Sequence, residues 1–214
     1  MVKRRLLVFV TFIPTFVTAL VSWAADTDQI RFYIGGRAGG AFFTSTHLTG
    51  QVRIDSTTDD VVGAVAGLNL GKHFGVEIAI DYHEPSLTVP GLGKIGEFAM
   101  WHIIPHLRVR YPLANGKLTP YFLGGAGIGF TEFNDPTPRG AGFPFSAERT
   151  SITGSVGGGI EYFVANNIAV GVESRFLFFD VDVEVEGRRQ KADLDKGLIY
   201  GGIRIFFPEA KPTK

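Results

Sequence analysis

Eight segments of the chain alternate apolar and polar residues with a period of two. Val76, Ile78, Ile80 and Tyr82 share one face, with Glu77, Ala79, Asp81 and His83 on the other. Ile168, Val170 and Val172 alternate with Ala169, Gly171 and Glu173. Ile199, Ile203, Ile205 and Phe207 alternate with Tyr200, Gly202, Arg204 and Phe206. A period of two describes strands with two unlike faces. The segments run roughly 30–43, 59–71, 74–83, 97–111, 118–133, 151–163, 167–180 and 196–207. Several exceed the common strand length of about 5–6 residues. They match the roughly 9–11 residues that a tilted strand needs to cross a bilayer. Composition agrees with strands. Of 214 residues, 28 are Gly, and each interior helical Gly costs about 1 kcal/mol against Ala. No helix-length stretch shows a period of 3.6.

The connectors alternate in length. Thr44 to Thr58, Glu84 to Gly96, Asn134 to Thr150 and Val181 to Asp195 are long. Gly71 to His73, Pro112 to Lys117 and Val164 to Asn167 are short. Transmembrane barrels have short periplasmic turns and longer extracellular loops. The expected fold is therefore all-β, an eight-stranded antiparallel transmembrane barrel with both ends in the periplasm.

The strand directions place aromatic residues in two bands on the apolar face. Phe32, Phe74, Tyr111, Phe122, Tyr162 and Phe207 lie near the periplasmic ends. Phe42, Tyr82, Trp101, Phe130, Phe176 and Phe178 lie near the outer ends. Rings collect in this way at the headgroup level of a bilayer. The opposite face carries Arg37, Glu77, Asp81, His102, His106, Arg108, Arg110, Glu161, Glu173, Arg175 and Arg204. With lipid outside, that face must look into a lumen only wide enough for side chains to fill it. Buried charges need partners, so Arg–carboxylate pairs are expected there. Gly35, Gly39, Gly125, Gly127, Gly129, Gly157 and Gly159 share the inward parity and leave room for long side chains.

The N-terminus has the three parts of a secretory signal: Lys3, Arg4 and Arg5, an apolar run from Leu6 to Val21, and the small residues Ser22, Ala24 and Ala25. The expected division is a cleaved signal over 1–25, a barrel over 26–207 and a short polar tail over 208–214. An uncleaved anchor helix is the alternative. The absence of Cys excludes disulfides and thiolate chemistry. The charges, 21 basic and 21 acidic, give no support for nucleic-acid binding.

Three stretches resemble a known family. Thr119-Pro-Tyr-Phe-Leu-Gly-Gly-Ala-Gly-Ile-Gly-Phe looks like the fifth-strand signature of the small outer-membrane barrels (OmpA-like, OmpX-like and opacity-protein barrels). Gly157-Gly-Gly-Ile-Glu-Tyr-Phe-Val-Ala-Asn-Asn-Ile-Ala-Val-Gly-Val-Glu looks like the sixth strand, tight turn and seventh strand, and Tyr200-Gly-Gly-Ile-Arg-Ile-Phe-Phe is similar to the closing strand. The resemblance implies an outer-membrane location and insertion by the barrel-assembly machinery. Family members often end on the closing aromatic, whereas here Pro208 to Lys214 follow Phe207.

Two local departures carry expectations of their own. Pro105 lies mid-strand and cannot donate a ladder hydrogen bond, so a bulge is expected there. Parity also changes near Phe179, where Val181, Val183 and Val185 oppose Phe176 and Phe178. Either a bulge forms or the strand leaves the membrane as a ribbon. The acidic Asp180, Asp182, Glu184 and Glu186 favour the ribbon.

No motif points to catalysis, a cofactor or a metal. The glycine runs Gly35–Gly40 and Gly125–Gly129 lack the following helix that a phosphate loop needs. His102 and His106 on a strand stand about 13 Å apart, too far to share one ion. His83, His102, Asp81 and Ser155 offer the residue types of a lipid-hydrolysing triad, but no spacing links them. Arg53, Arg139, Arg149, Arg188 and Arg189 fall in the long connectors. They suit contact with lipopolysaccharide or a host or surface ligand. The expected role is structural or interactive, through extracellular loops, with a plugged lumen. The alternatives are a narrow OmpW-like channel for small or apolar solutes and, third, a lipid A- or phospholipid-modifying enzyme.

Overall fold

The structure, a computed structural model, describes residues 30–43, 47, 48, 52, 53, 59–84, 86–89, 93–134, 149–185, 188–193 and 195–208. Strands are β1 (Ile30–Phe43), β2 (His47–Leu48), β3 (Val52–Arg53), β4 (Asp59–Leu70), β5 (Phe74–His83) and β6 (Ser86–Val89). They continue as β7 (Gly93–Arg110), β8 (Leu118–Asn134), β9 (Arg149–Ala165), β10 (Ile168–Val185), β11 (Arg188–Asp193) and β12 (Lys196–Phe207). One 3₁₀ turn, Ala114–Gly116, interrupts them.

Eight of these strands, β1-β4-β5-β7-β8-β9-β10-β12, pair antiparallel in sequence, and β12 closes on β1. The register fixes the stagger of the barrel. A row of paired residues starting at Arg31 passes Asn69, Gly75, Arg108, Leu123, Gly157, Arg175 and Leu198. It returns to β1 at Ala41, ten residues beyond its start. This shear tilts the strands and sets the bore. Every side chain in that row faces inward, so the polar face of each strand lines one narrow lumen.

The alternation seen in the sequence becomes an apolar exterior. Ile78 is 54% exposed, Phe122 74% and Ile152 82%, with Val62, Ile103, Val109, Val172 and Ile203 also exposed. An apolar surface of this extent is the surface a bilayer requires. At one end the strands are joined by the tight turns Gly71–His73 and Asn166–Asn167 and by the 3₁₀ turn. Ala114, Asn115 and Gly116 of that turn all have positive φ. The expected signal over 1–25 and the expected tail beyond Pro208 lie outside the described residues.

Two local expectations resolve differently. The bulge expected at Pro105 is absent: Ile78 pairs with Pro105 in unbroken register on β5. On the β8 side the pairings resume at the same offset, Ile103 with Ile128 and His106 with Gly125. The proline therefore omits one hydrogen bond to β8 without inserting a residue. Glycine makes that close passage possible, because a Cβ at Gly127 would lie 2.7 Å from the Cα of Ile104. Near Phe179 there is no shift of register either, since Phe176 to Phe179 pair regularly with Val156 to Thr153. Instead β10 runs on to Val185 and folds back as β11, pairing Asp180 with Asp193 through Val185 with Arg188. The parity change marks where the strand leaves the barrel as a two-stranded ribbon.

Gly39 and Gly36 offer a matched test of closure. A Cβ at Gly39 would collide with the Ile199 carbonyl and lie 2.8 Å from the Tyr200 Cα, whereas one at Gly36 meets nothing within 4 Å. Gly39→Ala should lower unfolding free energy by about 1–3 kcal/mol in urea titrations of the refolded barrel. Gly36→Ala should leave the midpoint unchanged or slightly higher.

Candidate functional site: the filled lumen

The middle of the lumen is an ion-pair lattice. Arg37 on β1 reaches Asp81 on β5 with Nη2–Oδ1 at 2.5 Å and Nε–Oδ1 at 3.0 Å, and Glu173 on β10 at 2.8 Å. Arg175 on β10 binds Glu77 on β5 at 2.8 Å and also Glu173. Arg204 on β12 binds Glu161 on β9 at 2.8 Å, Glu173 at 3.0 Å and Glu77 at 3.1 Å. Arg108 on β7 binds Glu161 at 2.7 Å. All eight side chains are buried.

Three tyrosines complete the lattice. Tyr33 donates to Glu77 at 2.9 Å and accepts from Arg108 at 2.7 Å. Tyr121 donates to Glu173 at 2.6 Å and accepts from Arg204 at 3.3 Å. The Arg108 guanidinium lies 4.1 Å from the Tyr121 ring centre, and that of Arg37 lies 4.3 Å from the Tyr200 ring centre. Cations over aromatic faces gain most when desolvated, as here. Together these contacts tie seven of the eight barrel strands across the bore. The eighth, β4, contributes Gly63, where a Cβ would stand 3.0 Å from the Arg37 Nε.

Towards the loop end the filling changes character. Lys196 Nζ is hydrogen-bonded to the Nε2 atoms of His83 and of His102, the latter at 2.9 Å. The rings lie parallel with centres 5.4 Å apart. Thr153 Oγ1 is 3.4 Å from His102 Nδ1. Around them packs an apolar cluster of Ala41, Val61, Met100, Ile104, Leu177, Phe179, Leu198 and Tyr200, with Leu177 opposite Lys196 and Val61 opposite His83. At the turn end, Phe206 stacks against Tyr33 and Phe163 at 5.1 Å each. Arg31 lies 4.9 Å from the Phe206 ring centre and binds the Asn166 carbonyl at 2.8 Å.

The remaining inward candidates stand at the margins of the lattice. His106 is buried with Nε2 3.5 Å from Arg175 Nη1. Arg110 is buried near the turns, and its Nε has no hydrogen-bond partner. Of the aromatic bands, Phe32, Phe42, Phe74, Trp101, Tyr111, Phe122, Phe130, Tyr162, Phe178 and Phe207 are exposed, and Tyr82 and Phe176 are half-buried. Tyr82 packs on Trp101 at 4.4 Å and Phe32 on Phe207 at 6.4 Å. The triad types do not assemble: His83 and His102 share Lys196, Asp81 binds Arg37, and the Ser155 hydroxyl has no hydrogen bond. Among the described residues no group of three or more His, Asp or Glu could hold a metal.

Sequence reasoning missed Tyr33, Tyr121 and Lys196 as lumen residues. Parity was the available signal, since Tyr33 is in phase with Gly35 and Arg37, and Tyr121 with Gly125. A cavity of about 10 Å³, at the lower limit for one water, opens beside Arg37, Tyr121, Glu173 and Arg204.

The family model for the outer membrane protein beta-barrel domain matches residues 12–199. The chain belongs to this family of outer-membrane β-barrels. Its barrel is similar to that of Neisserial surface protein A, at 17% identity and a TM-score of 0.57, covering 81% of this chain and 96% of that one. It is similar also to the outer membrane protein OprG of Pseudomonas aeruginosa, at 15% identity and 0.56, covering 83% and 95%. A third similar structure is the outer membrane protein AlkL, at 14% identity and 0.55, covering 88% and 95%. No curated protein matches the sequence. These likenesses establish the fold, and family membership places the barrel in the outer membrane. In outer-membrane barrels the short turns face the periplasm and the longer connectors the outside, and the ends of this barrel are named accordingly.

Glu173 touches Arg37, Arg175, Arg204 and Tyr121, so removing its charge disturbs three arginines at once. Glu173→Gln keeps the shape and leaves buried arginines under-compensated. It should destabilise the barrel by about 3–5 kcal/mol in urea unfolding. Adding Arg204→Met should recover part of that loss.

Proposed function

We propose that this outer-membrane barrel is a non-catalytic surface protein. Its lumen is closed, and its work is done by the extracellular connectors. The observation that carries the reading is the lattice of Arg37, Arg108, Arg175 and Arg204 with Glu77, Asp81, Glu161 and Glu173 across the bore. An ion entering the bore would have to break several charge-assisted bonds at once. The apolar layer around Leu177, Phe179 and Leu198 adds a second barrier to hydrated solutes.

The eleven lumen residues named from parity, His102, His106 and Arg110 included, serve as a structural plug in this reading. The aromatic bands position the barrel between headgroup layers. Partners are outer-membrane lipid with lipopolysaccharide, the barrel-assembly machinery during insertion, and a host or surface ligand at the loops. The ribbon of β10 and β11 supports the last of these by carrying the chain beyond the barrel wall. Residues 1–25 act as a cleaved export signal, 26–207 as the barrel, and 208–214 as a tail. Mass spectrometry of the protein from outer membranes should therefore show a chain beginning within a residue or two of Asp26.

Planar-bilayer recording tests the closed lumen. The wild-type barrel should give no stable single-channel steps. Arg37→Ala with Glu173→Ala, if it folds by heat-modifiable mobility, should introduce them. Stable steps from the wild type would favour the narrow channel instead.

A further inference from the structure

A strut crosses the bore at its outer end. Lys196 is the first residue of β12 and lies in the outermost pair of the closing seam, opposite Phe43 of β1. Its Nζ reaches the far wall. There it is hydrogen-bonded to Nε2 of His83 on β5 and, at 2.9 Å, to Nε2 of His102 on β7. All three residues are buried.

The groups around this junction are few. Phe179 of β10 covers it, with its ring centre 4.9 Å from Nζ and 5.3 Å from the ring centre of His102. Thr153 Oγ1 of β9 stands 3.4 Å from His102 Nδ1, and His83 Nδ1 has no hydrogen-bond partner. Ala41 of β1, Val61 of β4, Met100 of β7 and Leu177 of β10 are apolar. The carboxylates acting on Lys196 are Asp59 of β4 and Asp81 of β5. Asp81 is held by Arg37, and Arg175 Nη1 lies 3.9 Å from it. His106, the other buried imidazole, faces Arg175.

Proton counting limits what the junction can hold. Two hydrogen bonds need two lone pairs among its three nitrogens. With one positive charge, on the lysine or on either imidazole, two lone pairs remain. With two positive charges only one remains, wherever the protons sit. A second charge therefore breaks one of the two bonds. It also sets two buried cations side by side, which is costly without added compensation. Water reaching an opened junction would solvate them, so proton uptake and opening are linked. Imidazole is the side chain that charges under mild acid, near pH 6.5.

We propose that Lys196, His83 and His102 form an acid-released latch at the outer end of the barrel. Closed, the latch braces the seam and the root of the ribbon, since β11 ends at Asp193 and Lys196 also pairs with Leu177 of β10. Released, it loosens the outer ends of β1, β10 and β12, while the ion-pair lattice keeps the middle of the bore filled. The latch does not depend on what the extracellular connectors bind.

The test is amide hydrogen exchange, read by NMR on the full-length exported protein in micelles between pH 7.5 and 5. Each rate is divided by that of unstructured peptide at the same pH. Protection of the outer pairs Ala41–Leu198 and Phe43–Lys196 should fall by up to about tenfold per pH unit below 6.5 for each proton taken up. Protection of the middle pairs Gly35–Arg204 and Arg37–Gly202 should hold. His83→Gln with His102→Gln keeps acceptors at a similar reach and should flatten the pH dependence, whereas His106→Gln should leave it in place. The latch is overturned by outer protection that ignores pH, by middle pairs that open in parallel, by a slope that survives the double substitution, or by one that vanishes with His106→Gln. If the double variant lacks heat-modifiable mobility, imidazole ¹⁵N shifts of the wild type decide instead, assigned by their loss in the single variants. Those of His83 and His102 should reach protonated values over the same pH span as the loss of outer protection. Protonation without that loss, or loss without protonation, would equally overturn the latch.

Discussion

Closure of β12 on β1 is the constraint from which the rest of this molecule follows. Twelve residue pairs, from Phe32 with Phe207 to Phe43 with Lys196, join the two ends of the chain. In hydrocarbon an open sheet edge would leave a row of backbone donors and acceptors unpaired, at several kcal/mol each. Eight strands are enough to close, but they enclose a bore that side chains must fill. The composition of the inner face is then decided by what can be packed there without leaving charge unpaired.

The lattice answers that demand by sharing. Glu77 meets Arg175 and Arg204 and lies 3.8 Å from Arg108, Glu161 meets Arg108 and Arg204, and Glu173 meets three arginines. A buried ion pair is weak evidence of stability, since desolvation offsets much of its attraction. Its stronger consequence is for register. A slip of one residue on any of the six strands that carry a lattice charge would turn that charge into lipid and the outward apolar side chains into the lumen. Each partner stranded inside would then be a buried charge without compensation. The lattice therefore fixes the pairing offsets, which the backbone ladders by themselves leave nearly degenerate.

This division explains how much could be read from the sequence. The period of two identifies the faces, and the alternation of long and short connectors identifies the ends, so the eight-stranded barrel was legible throughout. Parity cannot supply the offset between neighbouring strands. The shear of ten, and the meeting of Arg37 with Asp81 across Gly63 two barrel strands away, appear only in the register. Tyr33 and Tyr121 share the inward parity but carry no charge to mark them, and their hydroxyls stand between Arg108 or Arg204 and the glutamates. Lys196 was hidden by its place at a strand start, beside a long connector. At Pro105 the rule that proline disturbs a ladder held only for one hydrogen bond, because glycines at 125 and 127 let β8 approach without a bulge.

The lumen is also not uniform along its axis, and the gradient has a physical sense. The outer third mixes apolar side chains with Lys196 held between two imidazoles. The middle third balances four arginines against four carboxylates. The periplasmic third has aromatic packing of Phe163 and Phe206 on one wall and the polar Asn69, Arg110 and Thr119 on the other. A filling built only to exclude water would be apolar throughout. Polar groups near both ends, Lys196 with two imidazoles at the outer and Asn69 with Thr119 at the inner, depart from that pattern. The apolar and aromatic packing around them keeps the shared ion pairs of the middle away from water, and it is this dryness that makes their mutual compensation decisive.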